Sequence, residues 1–290
     1  MTKERLLNTF SIVGYDPETK EWGIAVQSKF IACAAVVSWA RAGAGAVATQ
    51  SYANTSYGPR GLDLMAAGAS AEEALEQLIA DDPDKDKRQV GLVDAQGRSA
   101  TFTGSGCHDW AGGVTGQHFA AQGNILVGKE TVEAMAETFS QTKGPLGRRL
   151  LAALDAGQAA GGDSRGRQAA GLLVVKEKGG YGGYNDRAVD LRVDEHPEPI
   201  KELIRIYNIH QLYFGKPAPG DILEVDDKMR QDIAVNLRTL GYLDRNVNTD
   251  ADLYQALTHF MQTENFEERQ QPQGKIDQAV LKYLEDKAHR

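Results

Sequence analysis

Thr9 is the residue whose type and position most directly suggest catalysis. It opens a β-rich run, residues 9–15, and a threonine hydroxyl becomes a good nucleophile only when a base lies beside it. A chain that began at Thr9 would supply that base itself, because a free α-amine has a pKa of about 7.7–8.0, close to working pH. The alternative is that Thr9 simply starts a strand, where β-branched residues are common.

Donors for an oxyanion are predicted in the turn after the fourth strand. Gln50, Ser51 and Asn54 carry amide and hydroxyl groups there, and such groups can stabilise the charge of a tetrahedral intermediate. We assign Asn54 to this catalytic role, and Gln50 and Ser51 to substrate contact. Asn and Ser also favour turns for local reasons, so a structural role stays open.

A polar loop, residues 161–168, precedes a very apolar run at residues 169–175. Asp163, Arg165 and Arg167 of this loop could bind a carboxylate substrate, because a guanidinium binds a carboxylate through two parallel hydrogen bonds. We assign Asp163, Arg165 and Gln168 to substrate contact. The alternative is an Asp–Arg pair that only closes the loop.

Cys107 is a second candidate nucleophile and a candidate substrate contact. It lies in a glycine-rich loop beside His108, and His118 is an equally plausible base, since a thiol is activated by a neighbouring base. An unreactive thiol is the alternative reading.

No metal or other cofactor is expected. The 6 histidines are scattered along the chain, and the sequence contains no C-x-x-C, H-E-x-x-H or Walker A motif. These spacings are the ones that metal and phosphate sites require.

Composition describes an ordinary globular protein. Of 290 residues, 41% are hydrophobic and 25% are charged, with a net charge of -8, so no general attraction to nucleic acid or anionic membranes is expected. Two cysteines cannot build a disulfide framework, and no apolar run is long enough for a membrane helix. The first residues lack the apolar core of a secretory signal, so a cytoplasmic location is expected.

Periodicity predicts the elements that position these residues. The order is four strands, two helices, four strands, two helices, two strands and one helix, with the third strand at residues 34–39 and the fourth at 45–49. Strands in hairpins and helices in consecutive pairs favour an α+β fold with antiparallel sheets. Two such sheets packed face to face under helices make a four-layer αββα sandwich.

A linker divides the chain. Residues 215–220 contain two prolines and two glycines, which end any helix there. We therefore predict domains at residues 1–214 and 221–290. Three amphipathic runs in the second domain predict a small three-helix bundle. They are residues 229–240, 253–261 and 276–284.

Seven runs in the first domain resemble the DUF1028 family, over about residues 9–214. They are residues 9–13, 23–30, 45–50, 57–62, 88–91, 122–126 and 161–168. This family is similar in fold to the N-terminal-nucleophile (Ntn) hydrolases, which cleave amide bonds on an αββα sandwich. The resemblance implies that fold and places Thr9 at the nucleophile position.

The chain departs from the Ntn pattern in two ways. Eight residues precede Thr9, so its amine is blocked until the bond before it is cut. Proteasome-like Ntn enzymes also carry an acidic residue on the second strand and a lysine on the third, whereas Gln27 takes the acidic place here and the third strand has no lysine. Lys29 is the nearest candidate to lower the pKa of the amine by like-charge repulsion; a solvated lysine at a strand end is the alternative.

The tail resembles a peptidoglycan-binding module in three runs, at residues 237–243, 254–260 and 274–281. The resemblance implies a possible glycan ligand for this domain. The glycine-rich turn common in that module is replaced here by residues 244–250. We therefore interpret the tail as a binding or oligomerisation module, and a bundle that only docks on the first domain is the alternative.

Together these observations predict an Ntn-type hydrolase of a small, anionic amide. Thr9 attacks the carbonyl, its amine carries the proton, Asn54 or backbone N–H groups hold the oxyanion, and Arg165 with Asp163 orients the substrate. A non-catalytic ligand-binding protein on the same scaffold is the main alternative, and a cysteine hydrolase using Cys107 is a third. A homo-oligomer is expected because edge strands of such sandwiches often pair between subunits.

Overall fold

The computed structural model describes residues 9–244 and 249–289. They form two compact units that divide between Arg205 and Ile206, inside a helix that spans Pro199–Phe214. The domain limits expected from the linker stay a prediction. The predicted cleavage site before Thr9 involves residue 8, which lies outside the described residues.

The first unit contains two antiparallel sheets, and helices connect some of their strands along the chain. Within residues 9–205 the strands are β1 (Thr9–Asp16), β2 (Glu21–Ser28), β3 (Ser38–Arg41), β4 (Gly45–Ser51), β5 (Arg88–Asp94), β6 (Ser99–Thr103), β7 (Gly112–Gly116), β8 (Phe119–Gly123), β9 (Ala169–Val175) and β10 (Arg187–Val193). The helices are α1 (Ala34–Val37), α2 (Tyr57–Ala66), α3 (Ala71–Ala80), α4 (Glu130–Gln141), α5 (Leu146–Ala159) and α6 (Pro199–Phe214).

The strands are ordered β10-β9-β2-β1-β8-β7 in a six-stranded sheet and β3-β4-β5-β6 in a four-stranded sheet. Their facing sides share one apolar cluster, in which Val13 and Ile24 of the larger sheet are buried together with Ala46 and Ala48 of the smaller one. Burial of apolar side chains from both sheets in one layer is what holds a sandwich together.

Helices cover the two outer sides. α4 and α5 approach β1 so closely that a Cβ on Gly14 would lie 2.9 Å from Phe139 Cζ and 3.1 Å from Leu150 Cδ2. On the smaller sheet, α2 and α3 contribute Leu62 and Leu78 to a separate buried cluster. The predicted α+β, four-layer αββα fold is confirmed.

The predicted strand at residues 34–39 is wrong in its first half. Ala34–Val37 is one helical turn, α1, and only Ser38 and Trp39 belong to a strand, β3. Burial follows a helical spacing there, since Ala34 and Val37 are buried while Ala35 is exposed. The reason is close packing on β9, where Gly171 leaves room for the Ala34 methyl group.

The second unit is helical, as predicted. Its helices are α7 (Asp227–Thr239), α8 (Asp250–Thr263) and α9 (Gln278–Ala288), and their apolar faces enclose Leu237, Phe260, Val280 and Leu284. Two short strands that the periodicity does not predict, β11 (Ile222–Glu224) and β12 (Lys275–Asp277), pair antiparallel in the same unit. Among the described residues, no helix combines the length and apolarity needed to span a membrane.

Candidate active site

The start of β1 places Thr9 in a buried polar layer between the two sheets. Thr9 is paired with Ser28, the last residue of β2, and its hydroxyl donates a 3.2 Å hydrogen bond to Ser28 Oγ. Ser11, two residues along the same strand, lies on the same face and donates to Gln50 Oε1 of β4 at 2.6 Å. Because Gln50 belongs to the opposite sheet, the face that carries Thr9 is the inner one.

A network of neutral amides continues from Thr9 across the inter-sheet layer. Gln50 Nε2 donates to the Thr9 carbonyl at 3.3 Å and to Gln89 Oε1 at 2.9 Å. On β8, Gln122 Nε2 donates to Ser11 Oγ at 2.7 Å. These side chains are fully buried, and their mutual hydrogen bonds offset much of the cost of removing them from water.

The network fixes the orientation of Asn124. Gln89 Nε2 faces the carbonyls of Gly112 and Gly123, at 3.3 and 2.7 Å, so Gln89 Oε1 must be the atom that accepts from Asn124 Nδ2, at 2.8 Å. The other side-chain atom of this asparagine, Asn124 Oδ1, is buried and has no hydrogen-bond partner among the residues described. A buried acceptor without a donor is unusual and costly.

The segment after β8 joins three loops at this end of the sandwich. Asn124 N–H donates to the Thr9 carbonyl at 3.1 Å, and Ile125 N–H donates to the His108 carbonyl at 3.0 Å. Two residues further, Val127 N–H donates to the Gly162 carbonyl at 3.1 Å. The start of β1, the loop of Cys107 and the loop of Asp163 are therefore held together by one short stretch of backbone.

Ser51 and Cys107 are neighbours at the same end. Ser51 is buried with a φ of 65°, a left-handed conformation that is uncommon for serine and concentrates at functional sites. Burial raises the pKa of the Cys107 thiol, and the nearby Ser51 side chain opposes this effect. The thiol also donates to the Arg88 carbonyl at 3.3 Å.

Neither predicted base is placed to activate Cys107. The His108 ring lies against Tyr52, with ring centroids 6.3 Å apart, and the His118 ring is hydrogen-bonded to the Gly97 carbonyl at 3.3 Å. A thiol with a raised pKa is protonated at neutral pH, which favours the unreactive reading of Cys107.

Asn54 does not direct its amide at Thr9. Its Nδ2 donates to Asp82 Oδ2 at 3.0 Å, and its Oδ1 accepts from the Ser56 N–H and hydroxyl at 3.1 and 2.7 Å. The same Asp82 oxygen accepts from Tyr57 and from Arg88 Nε, at 2.9 and 3.0 Å. This cluster anchors the turn after β4 to the start of β5.

The predicted anion-binding residues are paired within their own loop. Arg165 Nη2 lies 2.8 Å from Asp163 Oδ2 and its Nε lies 3.1 Å from Asp163 Oδ1. Asp163 also accepts from the Lys29 backbone N–H at 3.1 Å, while the exposed Lys29 ammonium donates to the Arg167 carbonyl at 3.2 Å. Gln168 accepts a backbone hydrogen bond from His196. This geometry agrees with the alternative interpretation, in which the Asp–Arg pair only closes the loop.

The structure thus brings Thr9, Gln50, Ser51 and Cys107 to one end of the sandwich, and ties the Asp163 loop to the same place through residues 124–127. Ser28, Gln89, Gln122 and Asn124 also belong to this layer, and the sequence analysis gave them no role. One feature of the sequence could have indicated this layer. It is a polar residue at an inward position of a strand that is otherwise apolar, as at Gln89 and Gln122.

Gln27, which takes the place of the Ntn acidic residue, lies on the other face of the sheet. It pairs with Phe10 rather than with Thr9, so its side chain is on the helix-covered side of β2. Both of its amide atoms are buried without a hydrogen-bond partner in the described part of the chain. Within the same residues, no group of three or more acidic, histidine or cysteine side chains could hold a metal ion.

The second unit carries a cleft of about 440 Å³. It lies between α8 and the segment that leads into β12. Hydroxyl, amide and ammonium groups line much of it, including those of Tyr254, Gln255, Thr258, Gln270, Gln271 and Lys275.

Comparisons with known proteins confirm both resemblances drawn from the sequence. The family model "Family of unknown function (DUF1028)" matches residues 9–203, and the model "Putative peptidoglycan binding domain" matches residues 213–284. The crystal structure of a DUF1028 protein from Silicibacter pomeroyi is 32% identical, with a TM-score of 0.64; the alignment covers 70% of this chain and 89% of that one. None of the curated proteins matches the sequence.

Proposed function

Because the chain belongs to the DUF1028 family, for which no activity is established, we propose its function from the site: an amide hydrolase in which Thr9 is the nucleophile. The observation that carries the proposal is the position of the Thr9 hydroxyl. It lies at the first described residue of a central strand, on the inner face of the sandwich, 3.2 Å from the hydroxyl of Ser28. Thr9 is fully buried, and the side chains hydrogen-bonded to it are the hydroxyl of Ser28 and the amide of Gln50.

The chemistry begins with hydrolysis of the peptide bond before Thr9. The liberated α-amine, with a pKa of about 7.7–8.0, then accepts the hydroxyl proton as Thr9 Oγ1 attacks the substrate carbonyl. The amine returns that proton to the leaving nitrogen, and water releases the acyl group from Thr9. One residue therefore supplies both nucleophile and base.

Backbone N–H groups at this end of the sandwich are the better candidates for the oxyanion. The Asn54 amide is engaged by Asp82, so using it for catalysis would cost that buried hydrogen bond. Lys29 has its ammonium on the Arg167 carbonyl, and a solvated lysine has little influence on the pKa of a buried amine.

A small, anionic amide is the proposed substrate class. Arg165 has 36% of its side chain exposed, whereas its partner Asp163 is buried. An incoming carboxylate would compete with Asp163 for the exposed side of that guanidinium, which binds planar anions through paired hydrogen bonds. A cytoplasmic location and self-association stay predictions.

The decisive experiment combines processing with activity. The protein is purified from its own cells, its N-terminal residue and intact mass are determined, and wild type, Thr9→Ala and Thr9→Ser are assayed against a library of small amides. The proposal expects a chain that starts at Thr9, no turnover by Thr9→Ala and partial turnover by Thr9→Ser. Thr115→Ala, at an exposed strand threonine, is the matched control with full activity.

A fully active Thr9→Ala protein that keeps its first eight residues would end the hydrolase proposal. The candidate function would then be ligand binding without turnover. The hydrogen bonds of Arg165 with Asp163 and of Asn54 with Asp82 favour that reading, because they engage these side chains in holding the protein's own loops. Ligands that raise the melting temperature and are recovered unchanged would establish it.

For the second unit we propose a glycan ligand, bound in the cleft beside α8. Its lining combines amide, hydroxyl and charged groups with apolar side chains such as Leu257 and Met261, and a mixed surface of this kind suits a sugar chain, which has hydroxyl groups and apolar ring faces. Sedimentation with insoluble peptidoglycan tests this, with Gln255→Ala plus Gln271→Ala as the cleft variant and Gln231→Ala as a control on a different face of the unit. Equal sedimentation of the cleft variant and the wild type would remove the cleft as the binding site.

A further inference from the structure

We propose that Asn124 is a positioning residue for Thr9: its Oδ1 accepts a hydrogen bond from the Thr9 α-amine once the bond before Thr9 has been cut. This inference rests on the proposed function. It starts from an anomaly in the described structure, which is a fully buried asparagine with one amide oxygen left without a donor.

The backbone places Asn124 beside Thr9. Gly123 of β8 is paired with Phe10 of β1, so the residue that follows Gly123 lies next to the residue that precedes Phe10. The Asn124 N–H donates to the Thr9 carbonyl at 3.1 Å, which confirms this neighbourhood.

The side chain of Asn124 occupies the same inter-sheet layer as that of Thr9. Its Nδ2 is hydrogen-bonded to Gln89 Oε1 of the opposite sheet. Gln50 Nε2 bridges that same Gln89 oxygen and the Thr9 carbonyl. The Asn124 amide is therefore held by the network with its oxygen facing away from Gln89.

Cleavage before Thr9 creates the donors that Asn124 Oδ1 lacks. Water adds its hydroxyl to the carbonyl carbon of residue 8 while the C–N bond breaks, and the water proton goes to the nitrogen of Thr9. A peptide N–H offers one donor, whereas a free amine offers two and an ammonium three. Buried N–H groups of the amine need hydrogen-bond acceptors. Asn124 Oδ1 is a buried acceptor without a donor, so a hydrogen bond between the two satisfies both groups.

The contact would also set the basicity of the amine. A hydrogen bond accepted from the ammonium form favours that form and raises its pKa. The other ionisable side chains described at this end of the sandwich include those of Lys29, Asp82, Arg88, Cys107, His108, Asp163 and Arg165. These groups are the same in wild type and in variants of Asn124. A difference in the pKa of the Thr9 amine between these proteins therefore measures the contribution of Asn124.

The test measures the pKa of the Thr9 amine in a full chain that has folded before it is cut. A site for a specific protease is built into residues 1–8 so that cleavage leaves Thr9 first, and the pKa is read from the pH dependence of amine acetylation, followed by peptide mass. We expect Asn124→Ala to lower the pKa by about one pH unit, since a hydrogen bond to a charged group is of that strength. Asn124→Asp should raise it, because a carboxylate replaces the amide.

Thr103→Val is the matched control. It removes another partner of the Gln89 side chain and leaves Asn124 in place, so the pKa of the amine should equal that of wild type. Melting curves of all variants establish that each is folded. If Asn124→Ala does not fold, the isosteric variant Asn124→Asp still tests the proposal.

Opposite shifts in the two Asn124 variants support the proposal. Unchanged pKa values, or shifts of the same sign, overturn it, because a merely structural role has no reason to distinguish alanine from aspartate by sign. Failure of the proposed function is recognised separately, by an uncut chain in its own cells and an active Thr9→Ala protein, since the acetylation measurement requires no substrate.

Discussion

The side-chain amide of Asn54 donates a 3.0 Å hydrogen bond to the carboxylate of Asp82. The two residues are far apart in sequence, and the contact ties the turn after β4 to the start of β5. Tyr57 and Arg88 donate to the same carboxylate oxygen. Asp82 is therefore the centre of a cluster that holds the turn after β4, the start of α2 and the first residue of β5 together.

Replacing this carboxylate should cost stability. We expect Asp82→Asn to lower the free energy of unfolding by about 3 kcal/mol, because it removes the buried ion pair with Arg88 and leaves that guanidinium the more distant carboxylate of Asp84, at 3.9 Å. Urea denaturation measures the change. Asp81→Asn, at the neighbouring exposed pair with Arg60, should change it by less than about 0.5 kcal/mol. Equal losses in both variants would show that Asp82 has no special role.

Acid should destabilise the protein through the same group. Burial alone would raise the pKa of Asp82, but hydrogen bonds from Asn54, Arg88 and the Asp84 N–H outweigh it and hold that pKa well below its usual range. A carboxyl group with a depressed folded-state pKa contributes stability above its unfolded value, about 3.9, and this contribution is lost as the pH falls below that value. Between about pH 6 and pH 3, Asp82→Asn should therefore lose less stability than wild type.

Crowding between the sheets gives a test of the inter-sheet layer. A Cβ on Gly91 would lie 2.0 Å from Gln122 Oε1, so Gly91→Ala must displace an amide of the buried network. We expect a loss of about 2–3 kcal/mol in thermal or urea unfolding. Gly220→Ala is the control, because no atom lies within 4 Å of its added Cβ. A Gly91→Ala protein as stable as wild type would contradict the close approach of β5 and β8.

The two thiols should both react slowly at neutral pH, and to different degrees. Burial raises the pKa of Cys33 to about 12 and raises that of the half-buried Cys107 as well. Alkylation by iodoacetamide, followed by intact mass, should modify Cys107 first and more quickly as the pH rises, because the thiolate is the reacting form. Rapid modification of Cys107 at about pH 7 would instead indicate an activated nucleophile and revive the cysteine-hydrolase reading.

In the second unit, Arg269 should be a stability determinant. Its guanidinium is buried, pairs with Asp277 and donates to the carbonyls of Gln211 and Leu212. Removing one member of a buried pair costs about 3–5 kcal/mol, so Arg269→Met should lower the unfolding transition of this unit strongly. Arg230→Met, at an exposed pair with Asp250, is the control and should leave the transition nearly unchanged, because an exposed ion pair contributes little to stability.

The regular parts of the fold were predictable because local physics specifies them. The capping box of Ser70 and Glu73 is formed as its spacing predicts, and the two β-rich runs on either side of a proline-containing turn make the expected hairpin of β1 and β2. Residues 34–39 were misassigned since a continuous apolar run fits a buried strand and a buried helical turn equally well. β11 and β12 were missed because strands of three residues have no period to detect.

The candidate site was predictable only in part. Thr9, Gln50, Ser51 and Cys107 were chosen for their chemistry and do lie at one end of the sandwich. Asn54 and Arg165 were chosen on the same grounds, and the structure gives their polar groups partners in Asp82 and Asp163. Residue type states what a side chain can bind, whereas competition among neighbours determines what it does bind.

The sequence by itself determined the family, the αββα architecture and the strand-initial place of Thr9, because these depend on short-range periodicity and on motif order. Only the tertiary structure decided which amides meet between the sheets and that Asn124 keeps an oxygen without a donor. The physical reason is that hydrogen bonds across a sandwich join residues some 40 to 70 positions apart, such as Ser11 with Gln50 and Gln50 with Gln122. No local pattern encodes such pairings.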